Sequence, residues 1–182
     1  MTFFFLIRLS VASGALLALG LVAAASASAA EPAGVIRIVA GLSEPLKDEA
    51  GNTWLPGKGF LDGETNDRPD TPIANTKTPS VYRAERYNFS KFAYKLPNRN
   101  YTVKLHFAVM YEAIDGPGQC VFTFDVEGKK FKDYDVFAKA GGARRALIET
   151  VPVTISDGEL TIAFTAQLEN TSISGIEIIP AP

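Results

Sequence analysis

The chain has 182 residues, with 18 Lys and Arg, 20 Asp and Glu, and a formal net charge of −2 at pH 7. That length suits one ordinary domain with a sizeable core. The near-balanced charge, with no basic cluster beyond Arg144 and Arg145, argues against nucleic acid as a partner, and the single cysteine, Cys120, excludes an internal disulfide.

The N-terminus has the pattern of a secretory signal peptide. Arg8 precedes a run of apolar and small residues at positions 11–25, and small residues at A-x-A spacing follow this run. This order predicts cleavage after Ala27, Ala29 or Ala30.

Cleavage there divides the chain into a signal peptide, residues 1–30, and one domain, residues 31–182. We then expect an exported protein, whether secreted, periplasmic or extracellular, with no membrane segment in the mature form. An uncleaved membrane anchor is the alternative, and Arg8, which splits the apolar run, argues against it.

Short strand patterns dominate after residue 30. Residues 35–39 form a β-branched run, and apolar residues alternate with their neighbours over residues 101–107 and 120–126. Such alternation is typical of strands with one buried face. Residues 175–179 have the composition of a last strand, which Pro180 ends.

Residues 151–164 carry the strongest hairpin pattern in the chain. Two apolar runs flank a Ser-Asp-Gly-Glu segment at residues 156–159, and an Asp-Gly pair supplies the positive φ angles of a tight turn. Pro152 cannot donate a ladder hydrogen bond, which indicates an edge strand or a strand start.

Residues 62–78 differ from the rest of the domain. They are rich in Asp, Asn, Pro and Thr and poor in apolar residues, which predicts a long surface loop. No long segment shows helical periodicity, so the many short strands predict an all-β fold, a β-sandwich. We expect its core to bury Leu105, Phe122, Phe124, Leu160 and Ile162.

Six ordered segments along the domain carry a family resemblance. They are IRIVAG at residues 36–41, GNTWLP at 51–56, VYRAERY at 81–87, YTVKLHFA at 101–108, KDYD at 132–135 with AGG at 140–142, and IEII at 176–179. In order and spacing the set resembles the malectin and malectin-like carbohydrate-binding family. The resemblance implies a β-sandwich of jelly-roll type, with a ligand cleft formed by loops at one end. It also implies a non-catalytic module that binds an oligosaccharide or polysaccharide, glucan-like or other, without a cofactor.

The resemblance implies ligand contacts at particular positions. Tyr87 is the tyrosine of the family's Glu-Arg-Tyr motif, and Tyr111 corresponds to the tyrosine that follows the strand ending in Phe-Ala. An acidic family contact near the C-terminus falls at Glu169 or Asn170.

Two aromatic positions of the family are not aromatic here. Glu112 stands where an aromatic residue follows the family tyrosine, and no aromatic residue stands near Thr65. These departures predict a more polar cleft, with Glu112 at its rim, that does not prefer the glucosylated N-glycan bound by malectin.

Tyrosine and carboxylate side chains suit sugars on physical grounds. An aromatic ring offers a flat surface to the C–H face of a sugar, and carboxylates and amides hydrogen-bond its hydroxyl groups. Tyr87 and Tyr111 beside Glu112 and Asn170 would form such a set. The alternative is that both tyrosines are ordinary residues at the edge of the core.

Four other residues have stronger structural than functional explanations. Glu85 and Arg86 fit a structural ion pair beneath the cleft better than a ligand contact. Trp54 favours packing over stacking on a sugar. His106 has no nearby His or Cys in the sequence, which argues against metal binding.

Two further patterns leave alternatives open. The spacing of four acidic residues is not that of an EF-hand loop, so a solvated acidic loop is favoured over a calcium site; they are Asp62, Glu64, Asp67 and Asp70. Asn-x-Ser/Thr acceptors stand at Asn88, Asn100 and Asn170 and matter only in a host that glycosylates exported proteins.

Two other functions compete with carbohydrate binding. One is a structural or protein-interaction module of an exported assembly. The other, less favoured, is a small glycoside hydrolase, which needs two carboxyl groups flanking a glycosidic bond; Glu85, Glu112 and Glu169 are the candidates.

Overall fold

The computed structural model describes Met1 and residues 34–182. The rest of the predicted signal peptide lies outside the described residues, so its cleavage and the domain boundary at residue 31 stay predictions. The described residues form thirteen strands and two short helices, in the order β1 (Ile36–Val39), β2 (Leu46–Lys47), β3 (Thr53–Trp54), β4 (Glu64–Asp67), α1 (Ser80–Arg83), β5 (Ala84–Tyr87), β6 (Lys91–Lys95), β7 (Asn100–Phe107), β8 (Val121–Val126), β9 (Lys129–Asp135), α2 (Val136–Ala140), β10 (Leu147–Thr154), β11 (Glu159–Leu168), β12 (Ser172–Ile173) and β13 (Gly175–Pro180).

Two four-stranded antiparallel sheets form a sandwich. One has the strand order β1-β13-β7-β10 and the other β6-β11-β8-β9. Their inner faces share one core, in which the Phe107 ring of β7 lies 5.9 Å from Phe122 and 5.8 Å from Phe124 of β8, between ring centroids. The predicted β-rich sandwich is therefore confirmed, while its jelly-roll type stays a prediction.

The predicted core residues are buried. Each of the five has a relative exposure of 0%: Leu105, Phe122, Phe124, Leu160 and Ile162. The helices within residues 34–182 have only four and five residues, as the absence of helical periodicity predicts.

The hairpin predicted over residues 151–164 is wrong. β10 pairs with β7, whereas β11 pairs with β6 and β8, so the two strands lie in opposite sheets. Gly158 does have a positive φ of 86°, but its turn joins a strand of one sheet to a strand of the other. The Gly158 carbonyl accepts a hydrogen bond at 2.9 Å from the N–H of Leu96, which follows β6, and not from β10. Alternation cannot distinguish these arrangements, because both strands face the same core whether they lie side by side or across it.

Pro152 lies in an edge strand, as its missing N–H predicts. β10 is at the end of its sheet, and Pro152 stands opposite Thr102 of β7. The other side of the strand needs no ladder partner, so the missing donor costs little there.

The surface loop predicted over residues 62–78 contains a strand. β4 pairs with β5, and β12 pairs with the other side of β5, so a small third sheet forms in the order β12-β5-β4. All four residues of β4 are exposed and polar, which is why the sequence shows no strand pattern there.

A second hydrophobic cluster covers the outer face of β7 near His106. Trp54 of β3 and Tyr82 of α1 pack against the imidazole ring, at centroid distances of 5.3 and 5.6 Å. Trp54 is 2% exposed, and its Nε1 donates to Asp48 Oδ2 at 2.9 Å, which confirms its predicted packing role. The sheet is therefore buried on both faces at this point.

His106 has a hydrogen-bond partner at each ring nitrogen. Nδ1 lies 2.8 Å from the Tyr82 hydroxyl and Nε2 lies 3.0 Å from Glu177 Oε1. Arg37 Nε contacts the other oxygen of Glu177 at 3.1 Å. The imidazole thus connects α1 to β13, which is a structural role.

We expect Phe124→Ala to lower the free energy of unfolding by about 3–5 kcal/mol, because it removes a fully buried ring and leaves a cavity. Urea unfolding followed by far-ultraviolet circular dichroism measures the change. The exposed Lys132→Ala is the control and should stay within about 0.5 kcal/mol of the wild type. A loss for Phe124→Ala no larger than for the control would contradict the assigned core.

Glu177 gives a pH-dependent prediction. Burial raises the pKa of its carboxyl, but the hydrogen bond from His106 and the charges of Lys104 and Arg37 outweigh burial, so the pKa lies below its ordinary value. A carboxyl with a depressed pKa stabilises the fold above its unfolded-state pKa, and this stabilisation is lost as the pH falls through the folded-state value.

Glu177→Gln should therefore show a smaller loss of unfolding free energy between about pH 6 and pH 3 than the wild type. Urea titrations at several pH values measure this difference. The exposed Glu44→Gln is the matched control and should keep the wild-type pH dependence. Identical pH dependence in the wild type and Glu177→Gln would refute the assignment.

Candidate functional site

A cavity of about 320 Å³ lies where the small β12-β5-β4 sheet meets two connecting segments of the sandwich. The small sheet and the residue that follows β4 supply most of its polar lining. The segment between β7 and β8 supplies its apolar lining, and the segment between β11 and β12 lies at its rim. This volume is at the lower end of the range for small-molecule pockets.

The alternation of β5 decides which of its side chains reach the cavity. Successive strand residues point to opposite faces, so Glu85 and Tyr87 line the cavity whereas Arg86 does not. The strand register places Asn66 of β4 opposite Glu85 and Ser172 of β12 opposite Tyr87, and both of these residues line the cavity too.

Four buried residues, here called the apolar floor, form the apolar part of the lining: Val109, Met110, Ile114 and Cys120. Met110 belongs to the second hydrophobic cluster, and the other three belong to the main core. The cavity therefore lies where the two clusters meet, which gives its floor a fixed position.

An ion pair lies beside the apolar floor. Arg68 Nη1 donates to Glu85 Oε1 at 2.7 Å. Burial raises the pKa of the Glu85 carboxyl by more than Arg68 lowers it, so the pKa lies above its ordinary value. The structural ion pair expected at Glu85 is present, and its cation is Arg68, not Arg86.

Arg86 is held on the opposite face of β5. Its Nε donates to the Ala40 carbonyl at 3.3 Å, and Nη1 donates to the carbonyls of Asp62 and Gly63 at 3.1 and 3.3 Å. The guanidinium also lies 5.0 Å from the centroid of the Phe60 ring. These contacts give Arg86 a structural role.

A second, wider cleft of about 620 Å³ lies on the Arg86 face of the small sheet. Lys58, Thr65 and Asp67 contribute to its lining, and none of its lining residues is aromatic. It therefore lacks a ring on which a sugar could stack.

Tyr87 is partly buried at the cavity. Its hydroxyl donates to Glu64 Oε2 at 2.8 Å, and this hydrogen bond raises the pKa of the phenol above its ordinary value. The bond ties the tip of the ring to β4 and leaves the ring itself to line the cavity.

Tyr111 lies in the segment between β7 and β8 and is 54% exposed. The backbone on either side of it is anchored: Val109 O accepts from Arg144 N at 2.9 Å, and Tyr111 O accepts from Ile114 N at 3.2 Å. A large ring with half its surface exposed beside a cavity is positioned to contact a ligand.

Glu169 and Asn170 form the rim. Glu169 has a positive φ of 62°, which turns the chain between β11 and β12. The next residue, Thr171, is buried and fixes the turn, because its hydroxyl donates to Phe89 O at 2.6 Å and accepts from Phe89 N at 3.2 Å.

Four of the five sequence-predicted site residues line this one cavity: Tyr87, Tyr111, Glu169 and Asn170. Glu112 does not line it. Its side chain is 78% exposed and accepts a hydrogen bond from Arg144 Nη2 at 3.0 Å. The binding role of all five residues stays a prediction.

Asn66 and Arg68 line the cavity although no sequence pattern indicates them. They reach it because β4 pairs with β5, and that pairing is invisible in a polar segment. Thr65 lines the second cleft on the other face, so Asn66 is the β4 residue that faces the cavity.

Two of the four acidic residues near β4, Asp62 and Glu64, have hydrogen-bond partners within the protein. Asp62 accepts hydrogen bonds from Ser90 N and Oγ at 2.8 and 2.6 Å, which lowers the pKa of its carboxyl. Within the described part of the chain, no group of three or more His, Cys, Asp or Glu side chains is arranged to hold a metal ion.

Comparison with known proteins identifies similar chains. A family model described as "Malectin domain" matches residues 35–179. Malectin-B from Xenopus laevis is 32% identical over 111 residues, which cover 56% of this chain and 39% of the relative. Receptor-like protein 4 from Arabidopsis thaliana is 40% identical over 67 residues, which cover 36% of this chain and 11% of the relative. The chain therefore spans less than half the length of these relatives.

Solved structures share the fold. A Bacteroides uniformis beta-glucuronidase superposes with a TM-score of 0.73 at 17% identity, over 81% of this chain and 18% of that chain. The ANXUR2 extracellular domain from Arabidopsis thaliana superposes with a TM-score of 0.69 at 16% identity, over 80% of this chain and 48% of that chain. At these identities the similarity shows the fold alone.

The thiol of Cys120 should react slowly in the folded protein. Burial, together with the negative charges of Asp135, Glu85 and Glu169, raises its pKa to about 11, and the thiolate is the reactive form. We expect alkylation by iodoacetamide at pH 8 to be at least about a hundredfold slower than in the urea-unfolded chain. Mass spectrometry over time measures both rates, and similar rates would contradict the buried position of the thiol.

Proposed function

Because this chain belongs to the malectin domain family, we propose that it is a non-catalytic carbohydrate-binding module whose cavity holds part of an oligosaccharide or polysaccharide. Malectin domains are non-catalytic and bind oligosaccharides. The observation that carries the proposal for this cavity is the placement of two tyrosine rings, Tyr87 and Tyr111, around one apolar floor.

The two rings and the apolar floor suit the C–H face of a sugar. An aromatic ring presents a flat apolar surface with a negative face, which attracts the weakly positive C–H groups of a pyranose. Tyr111 is exposed enough to be covered by a ligand. The residues of the apolar floor, Met110 among them, would add apolar contact beneath the ligand.

The polar lining suits the hydroxyl groups of a sugar. Asn66 and Asn170 each provide an amide that donates and accepts, and Glu169 provides acceptors. Glu112 is outside the lining, and the contact at the rim that the sequence predicts for it stays part of the proposal.

A glycoside hydrolase is less well supported. It needs two carboxyl groups that flank the scissile bond. Of the three candidates, Glu112 lies outside the cavity and Glu85 is held in an ion pair with Arg68, which leaves Glu169 without a second free carboxyl group.

We propose an exported location for this module, with the signal peptide at residues 1–30 and a jelly-roll sandwich at residues 31–182. Receptor-like protein 4 and the ANXUR2 extracellular domain are among the similar proteins, which supports a place in the secretory pathway. None of the helices in the described residues is long and apolar enough to cross a membrane.

A glycan array probed with the purified protein tests the proposal. We expect binding to neutral glucan fragments and no preference for the glucosylated N-glycan, because Glu112 replaces a family aromatic residue and Thr65 faces the second cleft. An array without any bound glycan would contradict the proposal and favour a protein-interaction module. Strong selective binding of the glucosylated N-glycan would show that these departures do not change the preference.

Tyr111→Ala should abolish detectable binding of the best array glycan and leave the melting temperature nearly unchanged. Loss of the ring removes apolar contact and the attraction of its negative face, which should weaken binding about ten- to a hundredfold. Isothermal titration calorimetry and a thermal melt measure the two quantities.

Ile148→Ala is the matched control for this experiment. Ile148 is a large hydrophobic residue with 48% exposure, close to that of Tyr111, and it does not line the cavity. We expect it to retain wild-type affinity. If Tyr111→Ala unfolds the domain and leaves the affinity per folded molecule unchanged, the ring is structural and the assigned site is wrong.

A further inference from the structure

The guanidinium group of Arg68 has hydrogen-bonding capacity that the protein does not use. Within residues 34–182, its one hydrogen-bond acceptor is Glu85 Oε1, at 2.7 Å. A guanidinium has five N–H donors in a fixed plane. Arg68 lines the cavity with 24% of its side chain exposed, so the remaining donors are open to a ligand.

Glu85 has an unused acceptor in the same place. Its second oxygen, Oε2, accepts no hydrogen bond from the described residues. In this part of the chain, Ser174 Oγ is the one fully buried side-chain polar atom that lacks a partner. Oε2 must therefore be accessible, and because Glu85 is 5% exposed and lines the cavity, its accessible part opens into the cavity.

We propose that the Arg68–Glu85 pair binds two neighbouring hydroxyl groups of a sugar ring, with Glu85 Oε2 accepting from one hydroxyl and Arg68 donating to the next. The inference rests on the proposed function and assigns two residues that the sequence patterns leave out of the site. The ion pair holds a donor and an acceptor side by side, and a vicinal diol presents the complementary acceptor and donor.

The charge of the pair identifies the class of sugar. Arg68 and Glu85 cancel each other, and Glu169 at the rim adds a negative charge. An acidic sugar would place its carboxylate near two glutamates, whereas a neutral sugar with a free vicinal diol meets no such repulsion. Burial raises the pKa of Glu85, and a hydrogen bond from a sugar hydroxyl to the carboxylate would oppose this shift.

The first test changes the sugar and leaves the protein intact. Wild-type protein is titrated with maltose, cellobiose, laminaribiose and lactose, and then with every monodeoxy form of the disaccharide that binds best. We expect removal of either of two adjacent hydroxyls to weaken binding about ten- to a hundredfold, because each takes part in a charge-assisted hydrogen bond. Losses at no position, or only at positions that are not adjacent, would overturn the inference.

The second test changes the protein. Glu85→Gln removes the charge of the acceptor, and Arg68→Lys keeps the positive charge but loses the planar set of donors. We expect both to weaken the same disaccharide about tenfold or more. In Glu85→Gln, removal of the sugar hydroxyl that Glu85 binds should have little further effect on affinity, because the contact has already been weakened. An ion pair with only a structural role would not produce this coupling between the protein change and the sugar change.

Glu44→Gln is the matched control, because Glu44 is an exposed glutamate that lies outside the cavity lining and outside the predicted contact set. It should keep wild-type affinity.

If Glu85→Gln fails to fold in a thermal melt, Arg68→Lys and the monodeoxy series still decide the question. If the wild type binds none of the four disaccharides or any array glycan, the proposed function fails. If the wild type binds but both variants match the control, only the role of the pair is wrong.

Discussion

The sheet β1-β13-β7-β10 is buried on both faces near His106, and the position of the candidate site depends on this double burial. On the inner face, Phe107 packs in the core of the sandwich; on the outer face, His106 contacts Tyr82 and Glu177. Tyr82 belongs to α1, which leads directly into β5. The His106–Tyr82 contact therefore fixes the position at which β5 begins. This position in turn determines which side chains of β5 face the cavity. Met110, from the continuation of β7, packs in the same outer cluster and contributes to the apolar floor.

The chemistry of the site follows from the two faces of the small sheet. One face carries Glu85 and Tyr87 and opens onto a cavity with an apolar floor, whereas the other carries Arg86 and opens onto a cleft without an aromatic ring. A sugar needs an apolar surface and hydroxyl partners together, and the first face provides both. Arg68 contributes to the polar part of this face. It neutralises the buried carboxylate of Glu85 and still lines the cavity with unused donors.

The sequence predicted the sandwich and its core well, because alternating apolar residues such as Phe122 and Phe124 are a direct consequence of one buried face. It predicted which strands exist better than which strands pair, since alternation is the same for a hairpin and for two strands facing each other across a core. Family resemblance indicated Tyr111, which lines the cavity, but also its neighbour Glu112, which does not. Arg68 was beyond sequence reasoning, because the exposed polar strand β4 that precedes it has no recognisable pattern.

Binding of a neutral carbohydrate in the Tyr87–Tyr111 cavity can be followed in a two-dimensional ¹⁵N–¹H titration of the labelled protein with the best-binding glucan disaccharide. We expect the largest chemical-shift changes at the backbone amides of Tyr87, Tyr111 and Asn170. We also expect the side-chain Nε–H resonance of Arg68 to shift. Shift changes centred on the second cleft, at Lys58 and its neighbours, or a saturable response spread over residues outside the cavity, would contradict binding in this cavity.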